Sequence, residues 1–207
     1  MTFLLRAVLA VVGLLVSARF VARLARHALA VHAPLAGASP GLRGGQSTDI
    51  LLSHVPLEPG MRVLQIGTPD PGLVRGLARQ VGKYGKVYVL ESSGERADRL
   101  ARQLRTARVT NAEVLSGDPA RLELPDSTFD LALCVHSLAD QPRRQRTLWE
   151  LQRVLRPRGH LSVRESLRPG RYLRRGTLKS EASAVGLVCR EEHGTPLAYT
   201  ANFRKPA

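Results

Sequence analysis

The stretch Val63-Leu64-Gln65-Ile66-Gly67-Thr68-Pro69-Asp70-Pro71-Gly72-Leu73 constrains this chain more than any other. An apolar run stops at a glycine, passes through a Gly/Pro-rich turn and resumes as a helix. Asp70 is a good N-cap, and Pro71 suits the first helical position, where its missing N–H costs nothing. A strand that feeds a helix through so tight a turn is the opening unit of an α/β fold. It lets a ligand approach bare backbone N–H groups at the helix start. The unit reads either as a nucleotide-type cofactor site or as an ordinary βα loop that needs glycines to turn.

Beyond residue 62 strands and helices alternate. Strands are predicted over 62–66, 86–90, 112–116, 129–135 and 160–164. The run 129–135 is almost wholly apolar, as a strand buried on both faces of a parallel sheet should be. Helices are predicted over 73–81, from a capping box with Ser92 as N-cap and Glu95 three residues on to about 107, from Pro142 to about 155, and from a Thr177 cap to Gly186. Arg156-Pro157-Arg158-Gly159 reads as a turn, and 188–192 with 198–203 as a closing antiparallel pair. The pattern predicts a doubly wound, Rossmann-like sheet of seven strands, mostly parallel, with the last antiparallel.

Such sheets bind ligands at the carboxyl ends of their strands. Polar residues gather there in this chain: Gly67 to Gly72 after the first strand, Glu91 after the second, Asp118 after the third, His136 and Ser137 after the fourth. Glu91 stands 24 residues beyond Gly67, near the spacing at which an acid meets a ribose. A carboxylate suits that task because it accepts from two hydroxyls at once. Asp118 can accept from an exocyclic amine such as that of adenine. Each acid alone also reads as a cap or a solvated turn residue; together they favour a bound adenosine cofactor.

Residues 1–33 differ from the rest. Residues 7–18 are apolar or small, flanked by Arg6 and Arg19, and Arg23 and Arg26 continue a basic stripe. The run spans about 18 Å as a helix, short of a bilayer core of about 30 Å. It reaches that length over 3–21 if the arginines snorkel. A signal peptide, a membrane anchor and an interfacial helix all fit. The basic flank after the run keeps the following domain in the cytoplasm and favours the anchor or interfacial helix. The expected division is 1–33 as that helix, 34–46 as a linker and 47–207 as the α/β domain. Thirty-one Lys and Arg against 17 Asp and Glu give a net charge of +14, which suits an anionic membrane surface contacted through residues 3–26. Aromatics are only 4% of the chain, which argues against stacking on single-stranded nucleic acid. Cys134 and Cys189 lie in apolar runs without metal-ligand spacing.

Taken in order, several segments resemble class I S-adenosylmethionine-dependent methyltransferases, closest to the branch that holds quinone and sterol methyltransferases. The likeness runs through Leu57-Glu58-Pro59-Gly60-Met61-Arg62-Val63-Leu64, Val87-Tyr88-Val89-Leu90-Glu91, Gly117-Asp118, Leu124-Pro125-Asp126-Ser127-Thr128-Phe129-Asp130 and Glu150-Leu151-Gln152-Arg153-Val154-Leu155-Arg156-Pro157-Arg158-Gly159. It covers about residues 47–206.

The resemblance implies S-adenosylmethionine as cofactor. Gln65, Gly67, Thr68, Asp70 and Gly72 would face its methionine end, Glu91 and Ser92 its ribose, and Asp118 and Pro119 its adenine. His136 would stand beside the sulfonium and the acceptor, as the candidate general base. Glu165 and Tyr172 are weaker candidates for the acceptor; His160 and His193 read as structural. No metal is implied. The first loop departs from the family's acid-x-Gly-x-Gly-x-Gly pattern: Gln65 replaces the acid, the middle glycine is missing and the loop is one residue longer. Asp70 is then the candidate to supply the missing charge. The leading expectation is methyl transfer to a small, lipophilic acceptor at a membrane. The alternative is a non-catalytic scaffold with the same fold, and a third reading, RNA methylation, draws on the charge alone.

Overall fold

The computed structural model describes Thr48 and residues 51–67, 70–167 and 171–207. The chain divides into two units, Met1–Leu42 and Arg43–Ala207, and everything described belongs to the second. The expected membrane helix and linker, and Thr68 of the candidate loop, lie outside the described residues. Among those residues, no helix is long and apolar enough to cross a membrane.

Seven strands form one sheet: β1 (Arg62–Ile66), β2 (Lys86–Glu91), β3 (Ala112–Ser116), β4 (Phe129–Val135), β5 (Leu155–Ser166), β6 (Val188–Thr195) and β7 (Ala198–Arg204), in the order β3-β2-β1-β4-β5-β7-β6. The pairings from β3 to β5 are parallel. β7 inserts between β5 and β6 and runs antiparallel to both. Helices α1 (Pro71–Val81), α2 (Gly94–Thr106), α3 (Arg144–Val154) and α4 (Arg175–Ala184) accompany them among the described residues.

Strand alternation divides the core in two. Leu64, Ile66, Ala132, Cys134, Leu161 and Val163 face α3 and α4 and pack with Leu148, Leu151 and Leu178. Val63, Val89, Leu131 and Leu133 face α1 and α2 and pack with Val74, Leu77, Leu100 and Leu104. Every residue of β4 is buried, so the apolar run in sequence reports its central place. Burial on the centre strand also pushes the Cys134 thiol up to about 12.

Local expectations needed four corrections. The N-cap of α2 is Ser93, whose Oγ accepts from Arg96 N–H; Ser92 stands one residue outside. No capping box forms there, and Glu95 pairs with Arg99 one turn on. α3 begins at Arg144, two residues after Pro142, and α4 begins at Arg175 ahead of Thr177. Arg156–Gly159 is a loop-out within β5: Leu155 pairs with Phe129 and His160 with Leu131, so the intervening residues bulge opposite Asp130. Arg158 takes φ +64° there, and Arg156 pairs with Asp130.

Candidate functional site

The carboxyl ends of β1 to β4 open onto one cavity of about 500 Å³. β1 delivers Ile66 and Gly67, β2 Glu91 and Ser92, and β3 Gly117, Asp118 and Pro119. β4 delivers His136 and Ser137, followed by a 3₁₀ turn, Leu138–Asp140. Arg96 reaches the cavity from α2, and Arg171 from the connection after β5.

Gly67 holds φ +110°, which favours glycine, and a Cβ there would lie 2.4 Å from Ser137 Cβ. β1 and the end of β4 therefore close on each other at this point. Ser137 Oγ donates to the Ile66 carbonyl at 3.1 Å and fixes the contact.

Glu91 is only 3% exposed. Its Oε1 accepts from Ser93 N–H at 3.2 Å and from Arg96 Nη2 at 2.7 Å. Oε2 accepts from none of the described residues, which leaves one carboxylate oxygen for a ligand hydroxyl. Asp118 Oδ1 accepts from Ala120 N–H at 2.8 Å, and Oδ2 pairs with Arg143. His136 stands at φ +51°, its N–H donating to the Arg164 carbonyl at 2.9 Å. Its Nδ1 lies 3.3 Å from Ser166 Oγ. Backbone and ring are both tied, so the imidazole has a set direction at the cavity wall.

Of the residues singled out in sequence, Gly67, Glu91, Ser92, Asp118, Pro119 and His136 line the cavity. Gln65, Asp70 and Gly72 are not among its lining. Gln65 lies on the strand face that meets α1 and α2, fully buried, and its amide atoms have no hydrogen-bond partner among the described residues. Asp70 caps α1, accepting from Gly72 and Leu73 N–H at 3.2 and 3.3 Å. Glu165 is buried and accepts from Ala139 N–H at 3.4 Å, while Tyr172 donates to the Pro196 carbonyl; neither lines the cavity. His193 stacks on His54 at 4.6 Å. Sequence reading missed Arg96, Asp140 and Arg171. Among the described residues no group of three or more His, Cys, Asp or Glu side chains could hold a metal ion.

Residues 64–163 match a family described as methyltransferase domain. Over these residues the chain is similar to methyltransferase domains. Its relatives include a ubiquinone/menaquinone biosynthesis C-methyltransferase of Laribacter hongkongensis, 34% identical over 118 residues, 55% of this chain and 46% of that protein. A demethylmenaquinone methyltransferase of Listeria welshimeri is 28% identical over 115 residues, 55% of this chain and 48% of that one. The chain thus spans about half the length of the curated relatives it matches.

Among solved structures, an S-adenosylmethionine-dependent methyltransferase from Aquifex aeolicus superposes with a TM-score of 0.71 at 20% identity, over 76% of this chain and 88% of its own. The [4+2]-cyclase SpnF also superposes at 0.71, with 18% identity, over 84% and 85%. At these identities the likeness is one of fold, and the fold serves a cyclase as well.

The cofactor of this methyltransferase class is S-adenosylmethionine, and the cavity's residues fit it. Gly67 lets the end of β4 close against the end of β1 beneath the cavity, and Glu91 keeps an oxygen uncommitted. The loop's own acid position does not contribute, since Gln65 is uncharged and faces the other way.

Proposed function

We propose that the chain transfers a methyl group from S-adenosylmethionine to a small, lipophilic, quinone-like acceptor at a membrane surface. The observation that carries this reading is the convergence of Gly67, Glu91 and Asp118 on one cavity that His136 also lines. Bound there, the cofactor supplies an electrophilic methyl group on a sulfonium. Glu91, through Oε2, would accept from a ribose hydroxyl, and Asp118 would accept from the adenine amine. His136, held by Ser166 and by its own backbone, takes the proton from an acceptor hydroxyl. The chain's remaining work is alignment and exclusion of water.

The quinone-like acceptor is supported by the names of the relatives. The membrane surface is supported by the apolar and basic residues 3–26, with the domain on the cytoplasmic side. The test is incubation of the full chain with demethylmenaquinone, reduced so that its ring carbon is nucleophilic, and radiolabelled S-adenosylmethionine. Label should enter the extracted lipid, and His136→Ala should slow it about 100-fold. Cofactor binding without any transfer to this acceptor would contradict the reading.

A second reading, a methyltransferase fold without catalysis, is favoured by one observation. Gln65 is buried and unpartnered among the described residues, beneath a loop that departs from the family pattern. Absence of cofactor binding separates it from the first.

A further inference from the structure

We propose, resting on the cofactor reading above, that Asp140 and Arg171 form the subsite for the cofactor's amino-acid end. Asp140 takes the α-ammonium and Arg171 the α-carboxylate.

Of the side chains that the sequence offers for that end, Gln65 and Asp70 are turned elsewhere, and Thr68 lies outside the described residues. Gln65 is uncharged and faces α1 and α2, and Asp70 gives its carboxylate to the N–H groups that open α1. Asp140 is a carboxylate that reaches the same place by another route. Ser137 packs directly on Gly67, with 2.4 Å left for a Cβ. The Asp140 N–H donates to the Ser137 carbonyl at 3.3 Å and closes the 3₁₀ turn. That short chain of contacts sets Asp140 on the cavity wall beside the end of β1. The strand ends that carry Glu91 and Asp118 lie across β1 from the end of β4, because the sheet runs β3-β2-β1-β4. Adenosine on the β2–β3 side therefore directs the amino-acid end toward Asp140.

Arg171 faces Asp140 across the two loops, Nη1 to Oδ2 at 3.4 Å, with side chains 66% and 30% exposed. An ion pair this long and this open contributes little in water. A zwitterion placed between the two offers each an opposite charge in a less solvated setting. An adenosine ligand without the amino acid gains nothing from either.

The test compares two ligands of the full chain by titration calorimetry. S-adenosylhomocysteine and 5′-methylthioadenosine share the adenosine and the sulfur and differ in the amino-acid end. The wild type should bind the first more tightly. Asp140→Asn should weaken S-adenosylhomocysteine binding by about tenfold to a hundredfold and leave methylthioadenosine binding unchanged, which also reports that the variant is folded. Arg171→Gln should do the same to a smaller degree, whereas Glu91→Ala should weaken both ligands alike. Equal loss of both ligands in Asp140→Asn, or no loss of either, overturns the subsite and leaves the cofactor reading standing. A wild type that binds neither ligand overturns both.

Discussion

Gly67 and Glu91 carry the site at the scale of single residues, for opposite reasons. Gly67 matters because it lacks a side chain. Gly67→Ala meets Ser137 and takes an unfavourable φ, so it should cost about 1–3 kcal/mol of stability by chemical denaturation. Glu91 matters because it is a buried carboxylate. Glu91→Ala should weaken cofactor binding by about 2 kcal/mol in a titration. Both positions were legible in sequence, because a strand end followed by a glycine or an acid marks the ligand edge of an α/β sheet. Arg96, Asp140 and Arg171 were not. They reach the cavity from a helix face and from loops, whose course no periodicity encodes. Gln65 was legible as a departure but was placed wrongly, since residues alternate sides along a strand and position 65 falls with Val63 on the far face.

Among the elements, the central strands could be read most closely, because burial on both faces sets their apolar runs. Helix starts were read less well. Arg143 and Arg174 occupy N-cap positions without a side-chain cap bond, so the usual capping residues give no signal there. Tertiary ties hold these helices instead. Arg144 of α3 forks onto Glu181 of α4 at 2.6 and 2.7 Å. A double-mutant cycle on that pair should return a coupling of about 1 kcal/mol. The bulge in β5 hands the strand on to His160, whose pKa is lowered by burial and by nearby Arg204. The unfolded chain therefore binds this proton more readily than the native one, and stability rises with pH across the window just below 6.5. The urea midpoint should fall as pH drops through that window. His160→Gln should flatten that part of the slope.

At the scale of the molecule, β4 organises the fold and the site together. It is buried along its whole length and ends in His136 and Ser137, so the same strand anchors the core and aims the cavity wall. Cys134, fully buried there with its thiol held protonated to about 12, should resist alkylation at pH 8 in the native protein. Its labelling should then track global unfolding, while partly buried Cys189 reacts first. The central claim is that this cavity still accepts the cofactor although its first loop departs from the family pattern. Calorimetric titration of the full chain with S-adenosylmethionine tests it most directly. The account predicts saturable one-to-one binding that Glu91→Ala weakens by about thirtyfold; no binding at millimolar cofactor, or binding indifferent to Glu91, would contradict it.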